Sequence, residues 1–250
     1  VHAAFFLKPL KTKKEVVKAM TLIYTGKENK TTGIVSDTEI FYGKYYSTLK
    51  ETEEWLVDTI RRHAKETQTA DDMQQIQYCS SRIKSAGSMI GKLQKRGLKP
   101  DAENALSEIH DAVGVRIICP FNDDIYAAAE WLRSIPGIRT VQLKDYVRHP
   151  KASGYRSYHM ILFIPKRHDG QICGGRYQGE EGVFAEVQIR TIAMDFWACL
   201  DHQLSYKKDN SSSQELLRAE LKSCADEITS VDLSMQTLRD LIRTSSEMSA

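Results

Sequence analysis

The 250-residue chain is short of several things, and each shortage excludes something. Its five cysteines, Cys79, Cys119, Cys173, Cys199 and Cys224, stand far apart and never form a Cys-x-x-Cys pair. Neither a zinc site nor a disulfide framework is expected, and a reducing, cytoplasmic setting fits. No apolar run approaches the roughly 20 residues that span a bilayer, so no membrane association is expected. The N-terminal VHAAFFL is apolar over only seven residues, and its lysines follow rather than precede it, the wrong order for a secretory signal. The formal net charge is only +2, too small to imply a bulk polyelectrolyte partner. Any anion site must therefore come from local clustering. The sharpest shortage is local too: from Met73 to Pro100 there is no Asp or Glu, while Arg82, Lys84, Lys92, Lys95, Arg96 and Lys99 supply six cations.

The periodicity divides the chain. Residues 1–36 are rich in Lys and Thr and carry no clear pattern. From Thr38, Tyr42, Tyr45, Leu49, Leu56 and Ile60 recur at helical spacing. A second helical region is expected from Ala70 to about Arg96, ended by Gly97 and Pro100. Then VGVRIIC reads as a buried strand, and FNDDIYAAAEWLRSI as a helix capped at Asn122 or Asp123. TVQLKDYV, SYHMILFIP and VFAEVQIRT read as further strands, with a glycine-rich loop between the last two. This pattern predicts an α/β or α+β domain with a mixed sheet of about five strands flanked by helices. The divisions expected are an N-terminal extension and helix over 1–70, the main domain over 71–207 and a C-terminal helix over 208–250. Past Thr191, Ile192, Phe196, Leu200 and Leu204 repeat every four residues. After Ser211-Ser212-Ser213, Leu217, Leu221, Cys224, Ile228, Val231, Met235, Leu238 and Ile242 form a heptad seam. Such a seam serves either packing against the chain's own N-terminal helices or an oligomer interface.

Three clusters carry chemistry. On a helix, Ser88, Lys92, Lys95 and Lys99 lie along one face, a ladder suited to a polyphosphate, although a charge run is more often a solvated face. Asp111 stands just before one strand and Glu186 inside another, a pair that can converge on a divalent cation alongside substrate phosphates. Gln188 and Arg190 alternate with Glu186, so one face of that strand is polar. Finally DYVRHPKASGYRSYHM, residues 145–160, gathers cations and aromatics behind a single carboxylate, Asp145. Gly154 permits a sharp turn, Tyr155 offers a stacking face, and Lys151 and His159 meet negative charge. A tyrosine at a turn is otherwise an edge-of-core residue.

Taken in order, RIKSAGSMIGK, HDAVGVRIICPF, KDYVRHPKASGYRSYH and AEVQIRTIAMDFWACLDHQLSYK resemble the motifs of the alarmone synthetase domain of the RelA/SpoT homologue family, over about residues 78–207. The resemblance implies a nucleotidyltransferase-like synthetase fold with helical N- and C-terminal extensions. It implies transfer of the pyrophosphate of ATP to the 3′-hydroxyl of GTP or GDP, with Mg²⁺, giving pppGpp or ppGpp and AMP. By motif position, Arg82 and Arg116 would flank adenine, and Lys84, Ser88, Lys92 and Lys95 would hold the ATP phosphates. Asp111 would bind the metal, and Glu186 would hold it or take the 3′-hydroxyl proton. Tyr155 would stack on guanine, Lys151 and His159 would contact the acceptor's phosphates, Lys144 would belong to the acceptor-nucleotide site, and Gln188, Arg190 and Asp195 would shape its pocket. A homo-oligomer, a tetramer through the terminal helices, is also implied. Neither His110-Asp111 nor His168-Asp169 has the histidine-rich context of the family's hydrolase.

The sequence departs from the family in one respect: Gln142 stands where long members often carry the Arg of Arg-x-Lys-Asp, which leaves the choice between GDP and GTP open. Two other readings stay open beside the synthetase. One is pyrophosphate transfer to adenosine nucleotides or a tRNA end; the other is a non-catalytic nucleotide- or RNA-binding regulator on the same fold. Single-stranded RNA is a partner the basic loops could take but not the one expected.

Overall fold

The computed structural model describes residues 36–67, 74–205 and 213–247. Residues 1–35, the expected boundaries near 70 and 207, and Ser211-Ser212 lie outside the described residues. The chain runs through α1 (Asp37–Tyr42), a 3₁₀ turn (Gly43–Tyr45), α2 (Tyr46–Glu66), β1 (Tyr78–Ile83), α3 (Ala86–Lys95) and α4 (Ala102–Glu108). It continues through β2 (Val113–Cys119), α5 (Asn122–Ser134), β3 (Arg139–Asp145), β4 (Tyr158–Pro165), β5 (Gly175–Tyr177), β6 (Glu180–Thr191), α6 (Ile192–Ser205) and α7 (Ser213–Glu247). No helix among the described residues is long and apolar enough to cross a membrane.

The six strands form one mixed α+β sheet in the order β1-β2-β6-β4-β3, with β5 paired to β6. Only β2 and β6 run parallel. Alternation gives the sheet two unlike faces. On one, Val113, Val115 and Ile117 stand opposite Ala185, Val187 and Ile189, and Met160 and Leu162 continue the layer across β4. All are buried, under α2 and α5. Helix α2 brings Leu49, Leu56 and Ile60 to this core along one stripe. Each such burial contributes about 1.5–3 kcal/mol, enough to hold α2 against the sheet.

Two expectations need correction. The helical region expected over 70–96 is a strand followed by a helix: YCSSRI pairs antiparallel with β2, and only Ala86–Lys95 is helical. This strand, with short β5, brings the sheet to six. Helix α5 is not capped by Asn122 or Asp123; Asp124 reaches back to accept from the Phe121 amide at 3.2 Å. The stripe Ile192, Phe196, Leu200 and Leu204 is exposed, and α6 instead turns Met194, Asp195 and Trp197 inward.

Helix α7 carries two stripes. The C-terminal half of the heptad seam faces solvent, with Val231, Met235, Leu238 and Ile242 all more than half exposed, while Leu221 and Ile228 are half-buried. The buried stripe is Ala225, Asp232, Gln236 and Arg239. Its charges have partners: Arg239 pairs with Asp123 at 3.0 Å and Asp124 at 3.4 Å. Packing of the seam against the chain's own N-terminal helices is thus not what the described residues show.

Candidate active site

The sheet's second face is polar and built in rows. Ser80, Arg116, Gln188, His159 and Lys144 lie side by side across five strands. The next row reads Arg82, Gly114, Glu186, Ile161 and Gln142. Directly paired residues share a face, so strand register alone collects six of the expected site residues, Arg82, Arg116, Lys144, His159, Glu186 and Gln188. Gly114 sits between Arg82 and Glu186, where a β-carbon would touch Arg82 Cγ at 3.8 Å. Any longer side chain would fill the space between them.

That space is a cavity of about 180 Å³ whose lining includes Arg82, Lys84, Asp111, Arg116, Glu186 and Gln188. Both carboxylates therefore face one cavity. Asp111 Oδ2 pairs with Lys84 Nζ at 2.9 Å and Lys92 Nζ at 2.6 Å. Its Oδ1 is buried without a hydrogen-bond partner, alone in this among the described residues. A buried carboxylate oxygen without a donor is costly unless a ligand satisfies it. The oxygen-only donor set of Asp111 and Glu186 suits a hard divalent cation that takes its remaining ligands from phosphate and water. The residues present thus fit Mg²⁺.

The cationic ladder is shorter than expected. Ser85 caps α3, accepting from the Ser88 amide at 3.4 Å, and Lys92 turns toward Asp111. Ser88 and Lys95 are exposed along the same flank. Lys99 falls beyond the helix end and pairs with Asp101 at 3.0 Å, so it leaves the ladder.

Glu186 is held by His159 Nδ1 at 3.4 Å and by Gln188 Nε2 at 2.9 Å. Burial alone would raise its carboxyl. The hydrogen bond and charge of His159, the Gln188 amide and the charge of Lys92 outweigh burial and hold it down at about 2. From His159 the contacts run on: Nε2 meets the Tyr155 hydroxyl at 2.8 Å, which accepts from Arg190 Nη2 at 2.7 Å. Arg190 is buried and also donates to Asp195 at 2.9 Å, Gln188 at 2.9 Å and Ser157 at 3.3 Å. Asp195 in turn holds Arg116 at 3.2 Å. Asp195 thus clamps two arginines, Arg116 and Arg190.

The segment 145–160 divides into parts. Asp145 shapes the backbone: Oδ1 accepts from the amides of Val147 at 3.0 Å and Arg148 at 2.9 Å, turning the chain out of β3. Lys151 Nζ stands 4.7 Å from the Tyr155 ring and 4.8 Å from that of Tyr146. A second cavity, of about 770 Å³, opens beside Tyr155 and shares Arg82, Arg116 and Gln188 with the first. Its far wall is Ala198, Cys199, Asp201, His202 and Gln203 of α6, which sequence reasoning missed along with Tyr146 and Gly114. The α6 residues were hidden because its exposed apolar stripe carried the stronger signal.

A mixed sheet with one cationic, carboxylate-bearing face and two adjoining cavities defines an α+β domain built to bring two anionic ligands together. Comparison with known proteins narrows this. Residues 81–211 match the family model described as a region found in RelA/SpoT proteins, and the chain belongs to that family. It is 41% identical to the GTP pyrophosphokinase YwaC of Bacillus subtilis over 151 residues, covering 60% of this chain and 68% of that protein. It is 31% identical to the GTP pyrophosphokinase YjbM of the same organism, covering 68% and 74%. Among solved structures, small alarmone synthetase 1 of B. subtilis bound to its product pppGpp superimposes with a TM-score of 0.65. That pair is 29% identical, covering 82% of this chain and 97% of the other.

Proposed function

We propose that the chain is a (p)ppGpp synthetase, transferring the pyrophosphate of ATP to the 3′-hydroxyl of GTP or GDP and releasing AMP. The observation that carries the reading is the pair of cavities divided by one wall of Arg82, Arg116 and Gln188, with both carboxylates facing the smaller. Two polyanions have to meet for this reaction, and a wall of guanidinium groups lets them approach. The relatives support it: two B. subtilis proteins are GTP pyrophosphokinases, and small alarmone synthetase 1 has been solved with pppGpp and with AMPCPP.

In this reading Arg82 and Arg116 flank the adenine, and Lys84, Ser88, Lys92 and Lys95 hold the donor's phosphates. Asp111, with Glu186 as a second oxygen donor, would hold Mg²⁺, which when bound would offset the charge of the phosphate oxygens. Asp111 brings its unsatisfied oxygen, with two lysines beside it to meet the incoming phosphates. Glu186 faces the same cavity, where it would hold the metal or take the proton of the 3′-hydroxyl. Tyr155 stacks on the acceptor's guanine, while Lys144, Lys151 and His159 meet its phosphates. Gln188 and Arg190 shape the acceptor pocket, and Asp195 fixes both arginines from behind. The exposed seam of α7 pairs with further copies of the chain, a tetramer by resemblance, and the setting is the cytoplasm.

Incubation with ATP and Mg²⁺ plus GDP, GTP, ADP or tRNA in turn, with separation of products, tests the reading. AMP release coupled to a 3′-pyrophosphorylated guanine nucleotide is expected. A product only with ADP or tRNA would reassign the acceptor, and no product in any mixture would overturn the enzyme.

A further inference from the structure

The long helix α7 presents Val231, Met235, Leu238 and Ile242 of its apolar seam outward, and a stripe flanking the seam touches the segment that carries Tyr155. Gly154 is buried with φ of +90°, and its backbone lies so close to α7 that a β-carbon there would stand 2.4 Å from Ala225 Cβ and 3.3 Å from Lys222 Cδ. Only glycine against alanine permits this approach. The segment is itself a tight unit: the Gly154 amide donates to Lys151 O at 2.8 Å and the Lys151 amide to Tyr155 O at 3.1 Å. A push at Gly154 therefore moves Lys151 and Tyr155 together.

Two further contacts fix where α7 stands. Two turns beyond Ala225, buried Asp232 accepts from Thr191 Oγ1 at 2.8 Å and Asn122 Nδ2 at 3.2 Å. Thr191 follows Arg190 directly, and its hydroxyl accepts from the Met194 amide at 3.1 Å, opening α6. One turn before Ala225, Leu221 O accepts from Trp197 Nε1 at 2.9 Å, and the Trp197 ring stands 6.5 Å from that of Tyr155. The helix is thus bolted to the junction of β6 and α6 and leans on the acceptor segment.

We propose that α7 is a strut that positions the acceptor-binding segment, with Ala225 a positioning residue that sets where Tyr155 stands and Asp232 the anchor that holds the strut in place. The proposal rests on reading Tyr155 as the acceptor's stacking residue. Ala225 touches no substrate; it acts through Gly154. Ala225 is itself buried, on a stripe that flanks the seam rather than on the seam, so the mass in solution is measured beside the binding constants.

The test compares wild type with Ala225→Leu, Ala225→Val and the near-isosteric Ala225→Ser. Expected for Ala225→Leu is a rise of about tenfold in the acceptor's KM and in the calorimetric Kd for GDP, the loss of roughly one stacking contact. The KM for ATP should stay within about twofold, since the donor's contacts are untouched. Light scattering should give an unchanged mass, Ala225→Val an intermediate effect and Ala225→Ser none. Amide hydrogen exchange should quicken at 151–157 and not at 86–95. Equal changes for both substrates, or an unchanged acceptor constant in folded Ala225→Leu, overturns the strut. If Ala225→Leu does not fold, Ala225→Val decides by the same criteria. If wild type neither turns over nor binds guanine nucleotides, it is the functional reading that fails. The exchange arm then still decides the strut, which unchanged exchange at 151–157 would sink.

Discussion

Asp111 concentrates what a single residue can do here: one oxygen paired to two lysines, the other buried and unsatisfied. With a non-hydrolysable ATP analogue present, Mg²⁺ at roughly a hundredfold excess over its Kd should raise the wild-type Tm by about 5–10 °C. Asp111→Asn should lose that rise, read by scanning calorimetry without any turnover. At Glu186 the depressed carboxyl fixes a sign. A folded pKa of about 2, against 4.5 as the ordinary value, contributes stability that is fully present above the ordinary range and lost as pH falls toward 2. The urea midpoint of wild type should therefore decline over that window relative to Glu186→Gln, and be steady above it. The same substitution should lower turnover by about a hundredfold or more if Glu186 acts in the reaction. Tyr155→Ala, which removes a stacking surface, should raise the acceptor's KM by roughly tenfold and leave the KM for ATP within about twofold. The sequence exposed these residues because acids inside apolar strands and a tyrosine after a turn glycine break the local pattern. It could not expose Asp195 as a clamp on two arginines, because those arginines sit on other elements.

Among elements, α3 shows how a local rule serves a distant site. Ser85→Ala removes the cap on the helix that bears Ser88 and Lys92; it should cost about 1 kcal/mol in urea unfolding and raise the KM for ATP more than that of the acceptor. The elements most legible in the sequence were those with a dominant apolar period: β2, α5, β4 and β6. Those misread had polar residues on the side that matters. In YCSSRI the alternate positions are Ser80 and Arg82, which face the cavities, so the strand lacks an apolar alternation and the helical period of the following segment dominates. In α6 the period located a helix correctly, but a period does not say on which side the body lies. Met194 and Trp197 face inward while Ile192 and Phe196 do not.

For the molecule as a whole, α7 raises the same difficulty in reverse. Its apolar stripe faces solvent and its polar stripe is buried, because Asp232 and Arg239 find partners in Thr191, Asn122, Asp123 and Asp124. No pattern in α7 itself reveals those partners. Placing charges in the seam, as Val231→Glu with Leu238→Glu, should reduce the mass measured by light scattering to that of one chain while the far-ultraviolet spectrum keeps its helical signal. A mass already equal to one chain in wild type would reject the seam as an interface between copies.

Arg82, Arg116 and Gln188 line both cavities, and Arg116 is tied through Asp195 to Arg190. On the proposed reading, the donor and the acceptor would both meet that wall. Thermodynamic linkage makes any effect between them mutual: whatever factor a donor analogue applies to GDP affinity, GDP must apply to the analogue. On that reading both substrates share those guanidinium groups, and the Kd of each, measured with and without the other, should change by one common factor.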